Sequence, residues 1–147
     1  MRYVIGVDVG TSGTKAALFD EFGRTISSKT VEYPLYQPKN GWAEQNPLDW
    51  KNAAIEAIRA VSPENGEVSA IGVTGQMHGL VMLDENGEVL RRSIIWCDQR
   101  TGEECRELEE TLGRERLISI TANPAMTGFT AAKLLWVKKH EPEIFGK

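Results

Sequence analysis

Cysteine is almost absent from this 147-residue chain, and the two it has, Cys97 and Cys105, lie without CxxC spacing or a histidine nearby. That weighs against a disulfide framework, a redox motif or a cysteine-ligated metal, and leaves two reduced thiols in a cytoplasmic protein as the expectation. Surplus positive charge is missing too. Lys and Arg number 17 against 21 Asp and Glu, a formal charge of −4, so a nucleic-acid or anionic-membrane partner lacks its basic footprint. No apolar run approaches the ~18 residues of a membrane span. The opening segment reaches Gly6 and Asp8 too early for a signal-peptide core and reads as a strand. Repeats, low-complexity segments and an interdomain linker are also lacking. What remains is 41% hydrophobic and 26% charged, ordinary for a globular protein and long enough to enclose a core.

Three β-branched runs open the chain, at residues 3–8, 15–19 and 25–33, separated by the turns Gly10-Thr11-Ser12-Gly13 and Asp20-Glu21-Phe22-Gly23. Short turns between successive strands imply an antiparallel meander. A helix is predicted from Asn46 as N-cap with Pro47 at its first position. Its apolar face is Trp50, Ala54, Ala57, Ile58 and Val61, and Pro63 and Gly66 end it. Residues 68–73 read as a fourth strand, Glu85-Asn86-Gly87 as a hairpin turn, and residues 93–96 as a further strand. Thr101-Gly102-Glu103-Glu104 fits a capping box, so a helix is expected to start there and to close at Gly113. Residues 131–140 give another helix, whose Lys138, Lys139 and His140 suit the negative end of its dipole. Leading antiparallel strands followed by α/β units indicate an α/β fold with a mixed sheet of the ribonuclease H-like or actin-like type, flanked by helices.

The most informative stretch is Gly6-Val7-Asp8-Val9-Gly10-Thr11-Ser12-Gly13-Thr14-Lys15. Glycines let the backbone approach a bound group, and successive N–H groups in such a turn make a concavity for anions. The hydroxyls of Thr11, Ser12 and Thr14 add donors. Asp8, at the end of the first strand, faces the same space, and a carboxylate beside a phosphate calls for a cation between them, with Mg²⁺ the natural companion. Neither G-x-x-x-x-G-K-[ST] nor G-x-G-x-x-G is present, and both need a strand-to-helix turn where this one joins two strands. A glycine-rich hairpin with an incidental Asp is the plainer alternative.

A second stretch, Gly72-Val73-Thr74-Gly75-Gln76-Met77-His78-Gly79, suits a polyol. Gln76 can donate and accept, His78 can do either, and Met77 offers an apolar surface beside them. Mixed fixed polar groups and apolar surface are what a small hydroxylated ligand needs. A core histidine satisfied by a carbonyl is the alternative for His78.

Asp-x-Gly-Thr-Ser-Gly-Thr-Lys in a first hairpin resembles the phosphate loop of the actin-like ATPases. Gly-Gln-Met-His-Gly, together with Trp96-Cys97-Asp98-Gln99-Arg100, resembles the FGGY carbohydrate kinase family, and within it the xylulokinases. Gly41-Trp42-Ala43-Glu44-Gln45-Asn46-Pro47, the stretch from Asn123 to Thr130 and Lys133-Leu134-Leu135-Trp136 extend the likeness over residues 3–145. The resemblance implies ATP and Mg²⁺ as cofactors and a small-molecule sugar as substrate, D-xylulose foremost. It places Asp8 on the metal and Gly10, Thr11, Ser12, Gly13, Thr14 and Lys15 on the phosphates. Gln76, Met77, His78, Trp96 and Asp98 fall to the sugar, although Asp98 could equally pair with Arg100 to hold its loop. Met126 and Phe129 border that pocket or belong to the core.

The family's catalytic base is an Asp in a Gly-Gly-x-Asp-Asn segment, and no such segment occurs in these residues. The resemblance therefore implies an N-terminal part of a first domain, inactive alone, whose ATP-binding second domain lies elsewhere. Uncovered apolar surface on such a part would favour self-association or a homo-oligomer. Kinases for gluconate, ribulose or glycerol remain alternatives. So do a non-catalytic sugar-binding module and, less readily, an actin-like filament or chaperone subunit.

Overall fold

The computed structural model describes all residues from Met1 to Lys147. The chain divides into two compact units, one of residues 1–35 and 47–76, the other of residues 36–46 and 77–147, with no linker segment between them.

The first unit is a sheet covered on one side. Strands β1 (Arg2–Val9), β2 (Gly13–Asp20) and β3 (Thr25–Glu32) form the expected antiparallel meander. The β2–β3 turn is tied by Asp20, whose Oδ1 accepts the N–H groups of Phe22 and Arg24, each at 2.9 Å. Helix α1 (Pro47–Val61) then starts at proline as predicted, and its buried stripe is Ala53, Ala57 and Val61, one residue every turn. Small residues let the helix lie close on Ile5, Val7, Ala16 and Leu18, which make up the core of this unit. The next long strand (Glu67–Gly75) pairs parallel with β1 and gives the order β3, β2, β1 and that strand, so the sheet is mixed.

The second unit starts from a two-residue strand, β4 (Glu44–Gln45). Labelled in chain order, the parallel strand just described is β5, and β6 (Ser93–Ile94) pairs antiparallel with β4 in a small sheet of its own. Residues 95 and 96 leave the ladder, although the Ile95 N–H still reaches the Ala43 carbonyl at 3.2 Å. The expected hairpin about Gly87 is present as a single bridge between Leu83 and Val89, with Gly87 at φ 81°. Helices α2 (Gly102–Leu112), α3 (Arg114–Thr121), α4 (Thr130–His140) and α5 (Pro142–Phe145) complete the unit. Its core gathers Leu80, Ile94, Trp136 and Val137.

Two local expectations are corrected here. Thr101 makes no capping bond to α2; its buried hydroxyl is directed at the Thr127 carbonyl, 3.4 Å away. Glu104 does not reach back to the helix start but is buried against Lys139, at 3.4 Å. Tertiary partners displace the local box because burying both groups makes a distant partner worth more than a solvent-facing cap. Helix α3 escaped the sequence reading, its apolar residues being too few to mark a face. Gly113, at φ 80°, does close α2 as expected.

Strand β5 is the edge of the main sheet, and α1 packs across β2 and β3 rather than over it. Ile71 and Val73 are thus 50% and 69% exposed, although their partners Ile5 and Val7 in β1 are buried. An apolar edge of this kind invites pairing. This chain is expected to self-associate at high concentration, and Val73→Lys is expected to reduce it; a wild-type monomer by light scattering would contradict this.

Candidate functional site

Asp8 and Lys15 are direct partners across the β1–β2 ladder and therefore share a face of the sheet. Both are exposed and line a groove of about 520 Å³ with Gly6, Ala17, Gly72 and Thr74. Phe19, from the same face of β2, closes one side of the groove, its ring lying 3.4 Å from where a Cβ on Gly6 would stand. Between the strands, the Gly10 N–H closes on the Gly13 carbonyl at 3.0 Å. Gly13 must be glycine because a Cβ there would fall 2.7 Å from the Val31 carbonyl oxygen.

The hairpin is braced from behind. Tyr33 donates its hydroxyl to the Gly10 carbonyl, and Thr14 donates to the Tyr33 oxygen at 3.4 Å. Burial, with the negative charge of Asp8 adding to it, pushes the Tyr33 phenol above its usual range, which keeps this donor protonated. Thr14 is fully buried in this chain of bonds, and its hydroxyl serves the brace rather than facing the groove. Gln76 is bound into the same unit. Its backbone N–H donates to the Val9 carbonyl at 3.0 Å and its Nε2 to the Gly10 carbonyl at 3.4 Å.

The second unit holds the other predicted residues. Met77 is 66% exposed and Trp96 48% exposed. His78 is exposed and adopts φ 62°, a left-handed conformation that few non-glycine residues take. Its ring lies against Phe129, centroids 4.6 Å apart and planes at 56°. With Leu108, Leu117, Met126 and Phe129 it borders a mostly apolar cavity of about 260 Å³. Met126 and Phe129 thus line a cavity beside His78.

Of the two roles open to Asp98, the structure shows the ion pair. The residue is fully buried, one oxygen accepts the Ala43 N–H at 2.6 Å, and both accept from Arg100 at 2.8–3.0 Å. Arg100 in turn meets Glu44 at 2.9 Å and lies over the Trp42 ring at 3.7 Å. The family-like lead-in around Trp42 and Glu44 is therefore the other half of a buried charge network, something no local spacing could announce. The free thiols of Cys97 and Cys105 are both half-buried and pushed up by that burial, which disfavours their thiolate forms.

Lys133 went unremarked as a site residue, although a lysine three and four residues before Trp136 and Val137, in the buried stripe of α4, is a visible anomaly. It is fully buried, and desolvation lowers its amine to about 8 against the attraction of Asp98 and Cys97, with Arg100 pushing the same way as burial. The unfolded chain keeps this proton up to about 10.5. Between those values it binds more protons than the folded state, so this group makes stability rise with pH. Relative to Lys133→Met, the wild-type melting temperature is expected to gain as pH goes from 8 towards 10; a loss would contradict the assignment.

No group of three or more His, Cys, Asp or Glu side chains is placed to hold a metal. A divalent cation at Asp8 would draw the rest of its shell from water and phosphate oxygens, which is the habit of Mg²⁺. The exposed carboxylate, the neighbouring ammonium of Lys15 and the close-approach glycines fit a metal–phosphate group. No helix is long and apolar enough to cross a membrane.

Residues 3–147 match the FGGY family of carbohydrate kinases, N-terminal domain. The chain is 46% identical to the xylulose kinase of Bacillus subtilis (strain 168), over 100% of this chain and 30% of that protein. Among solved structures it is similar to the xylulose kinase of Rhodospirillum rubrum, with TM-score 0.93 and 34% identity over 99% of this chain and 30% of that one. The gluconate kinase of Lactobacillus acidophilus is nearly as similar, with TM-score 0.92 and 33% identity over 99% of this chain and 30% of that one. The chain spans about 30% of the length of the curated relatives it matches.

Proposed function

Because this chain belongs to the FGGY family of carbohydrate kinases, we propose that the full-length polypeptide carrying it transfers the terminal phosphoryl group of ATP to a ketopentose. D-xylulose, giving D-xylulose 5-phosphate, is the first choice. The observation that carries this reading is the exposed Asp8–Lys15 pair on the groove beside the Gly10–Gly13 hairpin. ATP with Mg²⁺, when bound, supplies the phosphoryl group and the charge neutralisation its transfer requires.

Asp8 holds the metal through its carboxylate, and Lys15 and the turn amides meet phosphate oxygens. Gln76 braces the hairpin through Gly10 and is given to the sugar only through whatever hydrogen-bonding capacity it retains. His78 orients a sugar hydroxyl, and Met77 and Trp96 provide the apolar surface. Asp98 locks the loop that presents Trp96. The base that takes the hydroxyl proton is assigned to the family's Gly-Gly-x-Asp-Asn segment, so these 147 residues are inactive alone. A cytoplasmic setting suits a sugar and ATP as substrates.

The xylulose choice is supported by the similarity to xylulose kinases, and the Met77-His78 pair weighs against glycerol, although gluconate kinases can carry it too. Gluconate is the second reading, favoured by the near-equal structural likeness to a gluconate kinase. No Arg or Lys lies within residues 72–79 to meet a substrate carboxylate, which places it second. The test is ADP release from ATP and Mg²⁺ with D-xylulose, D-ribulose, glycerol and gluconate, on the full-length polypeptide and on this chain. Turnover with D-xylulose by the longer protein alone is expected. Turnover by the 147-residue chain would place a base within it. His78→Ala is expected to raise the sugar KM at least about tenfold, with the KM for ATP little changed; equal losses for both would remove His78 from the sugar side.

A further inference from the structure

Lys133 is fully buried, yet it does not line the cavity beside His78 and its amine meets no carboxylate oxygen within bonding distance. A buried amine is tolerated only where its N–H groups are used. Here they are used on backbone: Nζ donates to the His78 carbonyl at 2.7 Å and to the Gly128 carbonyl at 2.6 Å. The first of these belongs to the one residue of its loop held at positive φ, and the Thr130 hydroxyl adds a second bond to the same carbonyl at 3.3 Å. The second belongs to a glycine packed so tightly that a Cβ on it would stand 2.9 Å from the Trp96 carbonyl oxygen. One side chain therefore grips the backbone of the His78 loop and, through Gly128, the backbone of the Trp96 loop.

We propose that Lys133 is the positioning residue of the sugar-facing side: its amine fixes His78 in the left-handed conformation and holds Gly128 against Trp96, so that both side chains are presented together. This rests on the reading of His78 and Trp96 as sugar contacts. Lys133 touches no substrate and acts through the two loops it joins. Misplacing an orienting group by about an ångström is costly, so the expected signature is loss of sugar recognition with ATP handling intact.

The experiment is steady-state kinetics on full-length Lys133→Met, with melting temperature as the check on folding. A rise of about 10- to 100-fold in sugar KM is expected, with the KM for ATP within about twofold. A folded variant with unchanged sugar KM, or with equal rises for both substrates, would overturn the proposal. Should Lys133→Met not fold, Thr130→Val and Gly128→Ala carry the test. The first removes only the exposed hydroxyl bond to His78, and the second drives a Cβ towards the Trp96 carbonyl. Each is expected to raise sugar KM about threefold or more without affecting ATP; no change in either sinks the idea.

A sugar-free arm separates this from the kinase reading. The His78 imidazole protons, lying against Phe129, carry a ring-current shift that is identified by its loss in His78→Asn. That shift is expected to collapse towards the free-histidine position in Lys133→Met, or in Gly128→Ala if the former does not fold. If no sugar is turned over by the wild type, the kinase reading fails and this arm still decides the strut. An unmoved His78 signal overturns it.

Discussion

Asp8→Ala in the full-length polypeptide is expected to lower kcat on the order of 10³-fold, because the proposed function gives this carboxylate the metal to hold. Sugar affinity is expected to change by less than about threefold, since only an interaction realised at the phosphate side is removed. The effect is not a folding effect. Asp8 is exposed on its strand, and the cross-strand pair with Lys15 that is lost contributes only ~0.2–1 kcal/mol. Asp8→Asn, which keeps the shape and loses the charge, should be nearly as impaired, and raised Mg²⁺ should recover part of its activity. An Asp8→Ala enzyme within about tenfold of wild type would place the metal elsewhere.

The largest expected effect on stability is at Asp98. Asp98→Ala is expected to cost about 3–5 kcal/mol, the range for breaking one partner out of a buried ion pair. Three consequences add up. The Ala43 N–H loses its acceptor at 2.6 Å, the Arg100 backbone N–H loses one at 2.9 Å, and the Arg100 side chain, only 1% exposed, keeps Glu44 as its remaining carboxylate partner. The two tryptophans around it, Trp42 at 3.7 Å and Trp136 at 4.9 Å, offer the guanidinium ring faces but no hydrogen-bond acceptor. Denaturant melts of this chain check the figure, and Asp98→Asn should be the milder change because it can still accept from Ala43. A loss under about 1 kcal/mol with a weakened sugar would return Asp98 to the substrate.

Much of the site was legible in residues close together in sequence. The Gly10–Gly13 turn between β1 and β2 and the start of α1 at Pro47 follow from local backbone demands. Glycine spacing and the count between strands state such demands outright. Met77 and His78 stand out in the sequence through a segment whose composition suits a polyol, and Trp96 through the family resemblance; the structure shows all three exposed. Asp98 was readable only as a choice between two roles, because Arg100 is two residues away while Ala43, Glu44 and Trp42 are more than fifty. The capping box at Thr101 misled for the converse reason: a local rule was satisfied on paper while both of its side chains were being buried elsewhere.

The sequence by itself determined the meander, the mixed sheet and the glycine-rich turn, because these rest on short-range periodicity and on glycines whose conformational need is local, and its motifs carried the resemblance that named the family. Tertiary structure alone decided that Thr14 braces Tyr33, that Asp98 is spent on Arg100, and that Lys133 reaches His78 and Gly128. In each case a polar group was buried, and burial obliges it to take whatever partner packing brings near. Such partners are chosen by the approach of distant segments, and no spacing along the chain records them.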